Sequence, residues 1–169
     1  MTKYFEDVAI GEETDLGAYT FTAEEIVRFA KEYDPQPFHL SDEAARQTYF
    51  GRLAASGWHT AAIYMKLMSR HRIKLVDAAK ARGETPALWG PSPGFRDLNW
   101  VKPVYAGDTI SYRSRITEKK ELRSKPELGL VAFLNEGRNA SGEVIFSFLG
   151  QIFVERRKAG DRLEVRGDR

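Results

Sequence analysis

An α+β fold, with a curved antiparallel sheet wrapped around one long central helix, is predicted by three features of the sequence. Between Leu53 and Met68 the only lysine or arginine is Lys66, and apolar residues occupy several helical faces, so a long buried helix is expected there. After Gly83 apolar residues fall in short alternating runs separated by turn signals, the pattern of antiparallel strands. No repeat or linker divides the chain, so helix and strands must bury their apolar faces against one another as layers of one domain.

The elements follow in order. Residues 15–21 read as a short strand. Thr22 stands three residues before Glu25, the capping-box spacing, and Ile26, Val27, Phe29 and Ala30 give the next helix an apolar face that ends near Tyr33. Prolines at 35 and 37 lack an N–H and bias their predecessors toward extended backbone, so a stiff extended loop is expected where that helix stops. Ser41 opens a second short helix, Asp42 to about Tyr49, broken by Gly51. The long helix follows, apolar on most sides and therefore expected to be buried on most sides. Ala54, Ala55, Ser56 and Gly57 near its start are small enough for a backbone or ligand to approach closely.

Beyond Ser69 the helix turns amphipathic and basic, and Arg70, His71, Arg72 and Lys74 read as a solvated face. Strands are expected around Phe95–Val101, at Thr109–Thr117, Leu128–Arg138 and Val144–Glu155. Turns fall at Tyr105–Asp108 and Ala140–Gly142, and a charged hairpin at Glu118–Glu127. Trp58 and Trp100 are expected in the core. Residues 1–155 form one domain in this reading, and the charged tail 156–169 is expected to fray.

Composition narrows the function classes. At 169 residues, 42% apolar and 30% charged, the chain reads as a soluble globular domain able to bury a proper core. The lack of cysteine excludes disulfides, thiolate metal sites and a cysteine nucleophile, and three scattered histidines show no metal-ligand spacing. A net charge of +2 gives no argument for nucleic acid. The polar, acidic start does not resemble a signal peptide, and no apolar run approaches the roughly 20 residues of a membrane helix, so a cytoplasmic protein is expected.

Asp34 and His39, five residues apart on a stiff segment, are the candidate chemical pair. A carboxylate and an imidazole around one small volume suit water activation, one group taking a proton and the other fixing or returning it. Taken singly, each has a structural reading as well, since Asp-Pro is common in turns. His59 and His71 are read as structural or exposed.

The stretch Asp34-Pro35-Gln36-Pro37-Phe38-His39, with Ala45 six positions after the histidine, resembles the signature of the MaoC-like dehydratases, the (R)-specific enoyl-CoA hydratase group of the hotdog fold. Ala55-Ser56-Gly57-Trp58 resembles the opening of that family's central helix. Asn99 to Thr109, with Pro103-Val104 and Gly107-Asp108, resembles its strand–turn–strand. The resemblance spans roughly residues 5 to 155.

It implies a hydratase/dehydratase acting on an enoyl or 3-hydroxyacyl thioester, with acyl-CoA chemistry in which coenzyme A belongs to the substrate and no separate cofactor is needed. Asp34 and His39 match the catalytic acid and histidine. The Gly57 N–H matches the oxyanion donor, with Ser56 and Gln36 beside it as oxyanion or substrate contacts. A homodimer or dimer of dimers is implied, with no nucleic acid or membrane partner. The sequence departs from the family pattern at Tyr33 (usually Gly), Gln36 (Asn), Ser56 (often His) and Ala62 (often Ser). The alternatives are a hotdog thioesterase and a non-catalytic acyl-thioester binding module.

Overall fold

The computed structural model describes residues 3–158. Strand β1 (Glu13–Thr20) leads into helix α1 (Ala23–Tyr33), two short helices α2 (Pro37–Leu40) and α3 (Asp42–Arg46), and the 25-residue α4 (Gly57–Ala81). Strands β2 (Phe95–Trp100), β3 (Thr109–Glu121), β4 (Leu128–Arg138) and β5 (Val144–Glu155) complete the chain. They form one five-stranded sheet in the order β1-β3-β4-β5-β2, with every pair antiparallel. Long β3, β4 and β5 make its centre. α4 lies against it through a core that includes Phe21, Ile26, Ile63, Tyr64, Ile110, Tyr112 and Phe146.

Local chemistry accounts for the element starts. Thr22 caps α1 by accepting the Glu25 N–H at 3.2 Å, and Ser41 caps α3 by accepting that of Ala44. Ser56 caps α4 through Trp58 N–H at 3.2 Å. The expected bounds of β4 and β5 coincide with those observed.

Several expectations need correction. The 34–39 segment is extended only to Gln36; Pro37 then opens a helical turn, because proline suits a first helical position that needs no N–H partner. α3 ends at Arg46 rather than near Tyr49, where Thr48 takes the Ala45 carbonyl with its hydroxyl at 2.7 Å. α4 buries one side and leaves Trp58, Met65 and Ile73 exposed, so its wide apolar surface is not all core. Trp58 and Trp100 are 54% and 43% exposed. Arg72 leaves the solvated face and donates to the Trp89 carbonyl at 2.9 Å.

The start of the tail is held rather than frayed. Arg156 pairs with Glu6 and Glu121, and Arg157 with Asp7. The expectation for 159–169 lies outside the described residues.

Candidate active site

Two helix ends meet at the site. Asp34 closes α1, its N–H donating to Ala30 O at 2.9 Å, and Ser56-Gly57 opens α4. α1 packs on the start of α4 through His59, whose buried ring stacks on Phe29 with centroids 4.5 Å apart and meets Phe21 edge-on at 5.0 Å. Burial holds this imidazole well below its ordinary 6.5, at about 4, so it is neutral near pH 7.

The segment 53–55 is pinned from both sides. Ala54 N–H donates to Phe38 O, Ala55 N–H to Val104 O and Ala106 N–H to Leu53 O. The Gly107-Asp108 turn ties this layer to the β1–α1 junction: Gly107 N–H donates to Phe21 O and Phe21 N–H to Asp108 O, while the Asp108 carboxylate accepts the Tyr105 N–H. Gly107 takes φ +94°, which glycine adopts without a Cβ penalty.

Pinning Ala54 fixes the state of His39. Its Nδ1 lies 2.7 Å from Ala54 O, and a carbonyl can only accept, so Nδ1 carries the hydrogen. In the neutral ring Nε2 is then an acceptor, and it lies 3.5 Å from Asp34 Oδ2. His39 is 5% exposed and packs on Phe38. Two acceptors at that spacing can share a water's two hydrogens, leaving its oxygen lone pair for attack.

Asp34 is held by neutral donors. Ser56 Oγ donates to Oδ2 at 2.6 Å and Gln36 Nε2 to Oδ1 at 2.7 Å. Burial pushes its pKa up, but these two bonds, joined by the charge of His39 when that ring is protonated, outweigh it, and the carboxyl stays below its ordinary value. The donors of Ser56 and Gln36, expected to face the substrate, are thus directed at Asp34.

Gly57 lines the same cavity as Asp34, Gln36 and His39, a space of about 470 Å³, within the range of small-molecule sites. Among the described residues its N–H has no protein acceptor, while its carbonyl takes hydrogen bonds from Thr60 Oγ1 at 2.6 Å and Trp100 Nε1 at 2.8 Å. Such an N–H at the first turn of a long helix sits at the positive end of the dipole, which suits an oxygen gaining negative charge. The Trp100 indole lies directly over Gly57, and a Cβ built there would stand 2.6 Å from it. Trp58 meets Trp100 edge-on at 5.0 Å, and both line the cavity. Sequence reasoning missed both as site residues, and no periodic signal marks them. Among the described residues no group of three or more His, Cys, Asp or Glu is placed to hold a metal.

A sheet wrapped on one long helix is the hotdog arrangement. The chain belongs to the MaoC-like domain family, which matches residues 6–132. The crystal structure of a MaoC-like dehydratase from Rhodospirillum rubrum superposes with a TM-score of 0.75 at 33% identity, covering 92% of this chain and 99% of that one. The uncharacterized protein YdeM of Bacillus subtilis is 24% identical over 89% of this chain and 98% of its own. The 3-hydroxybutyryl-CoA dehydratase of Methylorubrum extorquens is 24% identical over 96% and 91%.

Proposed function

We propose that this protein is a hydratase/dehydratase that adds water to an enoyl thioester, or removes it from a 3-hydroxyacyl thioester, with coenzyme A as the carrier. The observation that carries the reading is the facing pair, His39 Nε2 and Asp34 Oδ2 at 3.5 Å, in one cavity with the free Gly57 N–H. His39 Nε2 takes a proton from water as the oxygen bonds to the β-carbon. The Gly57 N–H holds the thioester oxygen while it carries the enolate charge. The proton returns to the α-carbon through Asp34, so one water is consumed and no charge is left over. Dehydration runs the same path backward. No metal or redox group takes part, and coenzyme A arrives with the substrate.

The working form is a homodimer in this reading. β2 is an edge strand whose neighbourhood exposes Phe95, Trp100 and Val101, and α4 exposes Trp58, Met65 and Ile73. The opposite edge, β1, carries Glu13, Thr14 and Asp15. A second copy pairing along β2 would cover the apolar edge and leave the charged one in water. Among the described residues no helix is long and apolar enough to cross a membrane.

The test is loss of enoyl-thioester absorbance across a panel of trans-2-enoyl-CoAs. Asp34→Asn and His39→Ala should each cut turnover roughly 10²–10⁴-fold, the contribution of positioned acid–base groups, with folding intact. Either variant retaining near-full activity on a confirmed substrate would overturn the assignment.

A further inference from the structure

We propose that Trp100 is a positioning residue for this chemistry: its indole N–H starts a chain of aligned hydrogen bonds that ends on the carboxylate of Asp34. This rests on the hydratase/dehydratase reading above.

Three hydrogen bonds and one peptide group make the chain. Trp100 Nε1–H donates to Gly57 O at 2.8 Å. That carbonyl and the Trp58 N–H belong to the same peptide group, and the Trp58 N–H donates to Ser56 Oγ at 3.2 Å. Ser56 Oγ–H in turn donates to Asp34 Oδ2 at 2.6 Å. Chemistry fixes the direction of every link. Indole and backbone N–H groups only donate, and a carbonyl or an ionised carboxylate only accepts. The Ser56 hydroxyl, able to do either, is left with one orientation: it accepts from Trp58 and donates to Asp34.

Bonds arranged head to tail reinforce one another. A donor on a peptide oxygen draws density from the N–H of that peptide, and a hydroxyl that accepts a hydrogen bond donates its own hydrogen more strongly. Ser56 is 1% exposed, so little water screens the inner end of the chain. Its 2.6 Å bond to Asp34 lies in the roughly 2.5–2.7 Å range of hydroxyl-to-carboxylate bonds strengthened by charge. Thr60 Oγ1 also donates to Gly57 O, but from the same helix; Trp100 brings its donor from β2.

The sheet holds the indole in place. Trp100 stands opposite Phe146 in β5, and the next residue, Val101, donates its N–H to Ile145 O at 2.9 Å. Val104 O accepts the Ala55 N–H at 2.7 Å, so the segment 100–104 grips the start of α4 on both sides of Ser56. The indole occupies the space a side chain at 57 would need, which makes glycine the residue that lets the chain close. Its far end is Asp34 Oδ2, the oxygen that faces His39 Nε2. A Ser56 hydroxyl fixed from behind keeps that oxygen ionised and turned toward its partner.

The experiment removes the first donor and keeps the ring. In Trp100→3-benzothienylalanine a sulfur replaces the indole N–H. Its kcat and KM for enoyl-CoA hydration are measured in wild-type and Ser56→Ala backgrounds. Reinforcement of roughly 10–30% per bond puts the loss in kcat at about three- to fivefold in the wild-type background, with KM little changed. In Ser56→Ala the chain is already cut, so the same replacement should cost almost nothing. A bond that only anchors α4 would cost the same factor in both backgrounds.

Equal losses in the two backgrounds overturn the proposal, as does an undiminished kcat in the wild-type background. Should the doubly changed protein fail to fold, the indole ¹H–¹⁵N resonances decide. Asp34→Asn removes the charge at one end and should move the Trp100 resonance at the other. Trp89, whose indole donates to Lys3 O, should stay in place. A Trp100 resonance that does not move refutes the chain. If wild type hydrates no enoyl-CoA, the hydratase reading falls and takes the proposal with it, an outcome distinct from turnover with equal losses.

Discussion

Acidification to pH 5.0 should loosen the joint between α1 and α4, and His59 sets the size of the effect. Its ring is 5% exposed, stacked on Phe29, and its Nδ1 has no hydrogen-bond partner among the described residues. Burial lowers its pKa to about 4; Glu25 pulls it up, and Arg28 and Lys66 push it down. Because the folded value lies below the ordinary 6.5, the unfolded chain takes up the proton first. Stability from this group is therefore complete above about pH 6.5 and declines as pH falls toward 4. Between pH 7.5 and 5.0 the linkage amounts to about 2 kcal/mol. For a urea slope of about 2 kcal/mol/M, the midpoint should drop by roughly 1 M. His59→Phe keeps an aromatic ring against Phe29 and cannot titrate. Urea midpoints of both proteins at both pH values isolate the term, because the other titrating groups are common to them. Equal losses in wild type and His59→Phe would refute the assignment.

Other expectations follow from the same geometry. Gly57→Ala drives a Cβ into the Trp100 indole and should lower enoyl-CoA turnover about 10²-fold; adding Trp100→Ala should recover at least tenfold of it, and no recovery would refute the steric account. Ser56→Ala removes both the cap of α4 and the 2.6 Å bond onto Asp34, costing about 1 kcal/mol in urea unfolding. It should also raise the pKa of Asp34 and so move the acid limb of the pH–rate profile upward, with Ser56→Thr returning it; a limb that stays in place counts against Ser56 as a positioning residue. Wild type should sediment as a dimer and Phe95→Asp as a monomer; a monomeric wild type would refute pairing along β2.

What the sequence discloses is what is locally determined. Thr22 and Ser41 announce their helices because a cap and its N–H partner lie three residues apart. β4 and β5 are legible to the residue because alternation is bounded by turn residues. Pro37 misleads because proline both ends helices and begins them, and only the surroundings decide which. Trp100 reads as core because it is large and apolar, yet its burial depends on lying on an edge strand over Gly57, 43 residues earlier. The clasp of Arg156 and Arg157 on Glu6 and Asp7 joins residues about 150 apart, beyond the reach of any local pattern. For the site, Asp34, His39 and Gly57 are named by motif and meet in one cavity. The orientation of Ser56 across 22 residues is visible only in three dimensions.

That orientation explains why substitutions at 36 and 56 are compatible with the proposed chemistry. The relay asks two things of Asp34: to remain ionised until it receives the proton, and to release that proton to carbon. An arginine beside it would secure the first and hinder the second, since a fixed cation at a carboxylate favours the charged form throughout. Ser56 and Gln36 lower the carboxyl's pKa with neutral hydrogen bonds instead, leaving His39 as the charged contributor among the groups that shift it. The charge felt by Asp34 then follows the protonation of its own partner. When His39 takes the water's proton, Asp34 faces a cation; when the proton moves on, that cation is gone and the carboxylate is reset. A change in donor identity that keeps both bonds neutral preserves this cycle, whereas Ser56→Lys or Gln36→Arg would break it even with the fold intact.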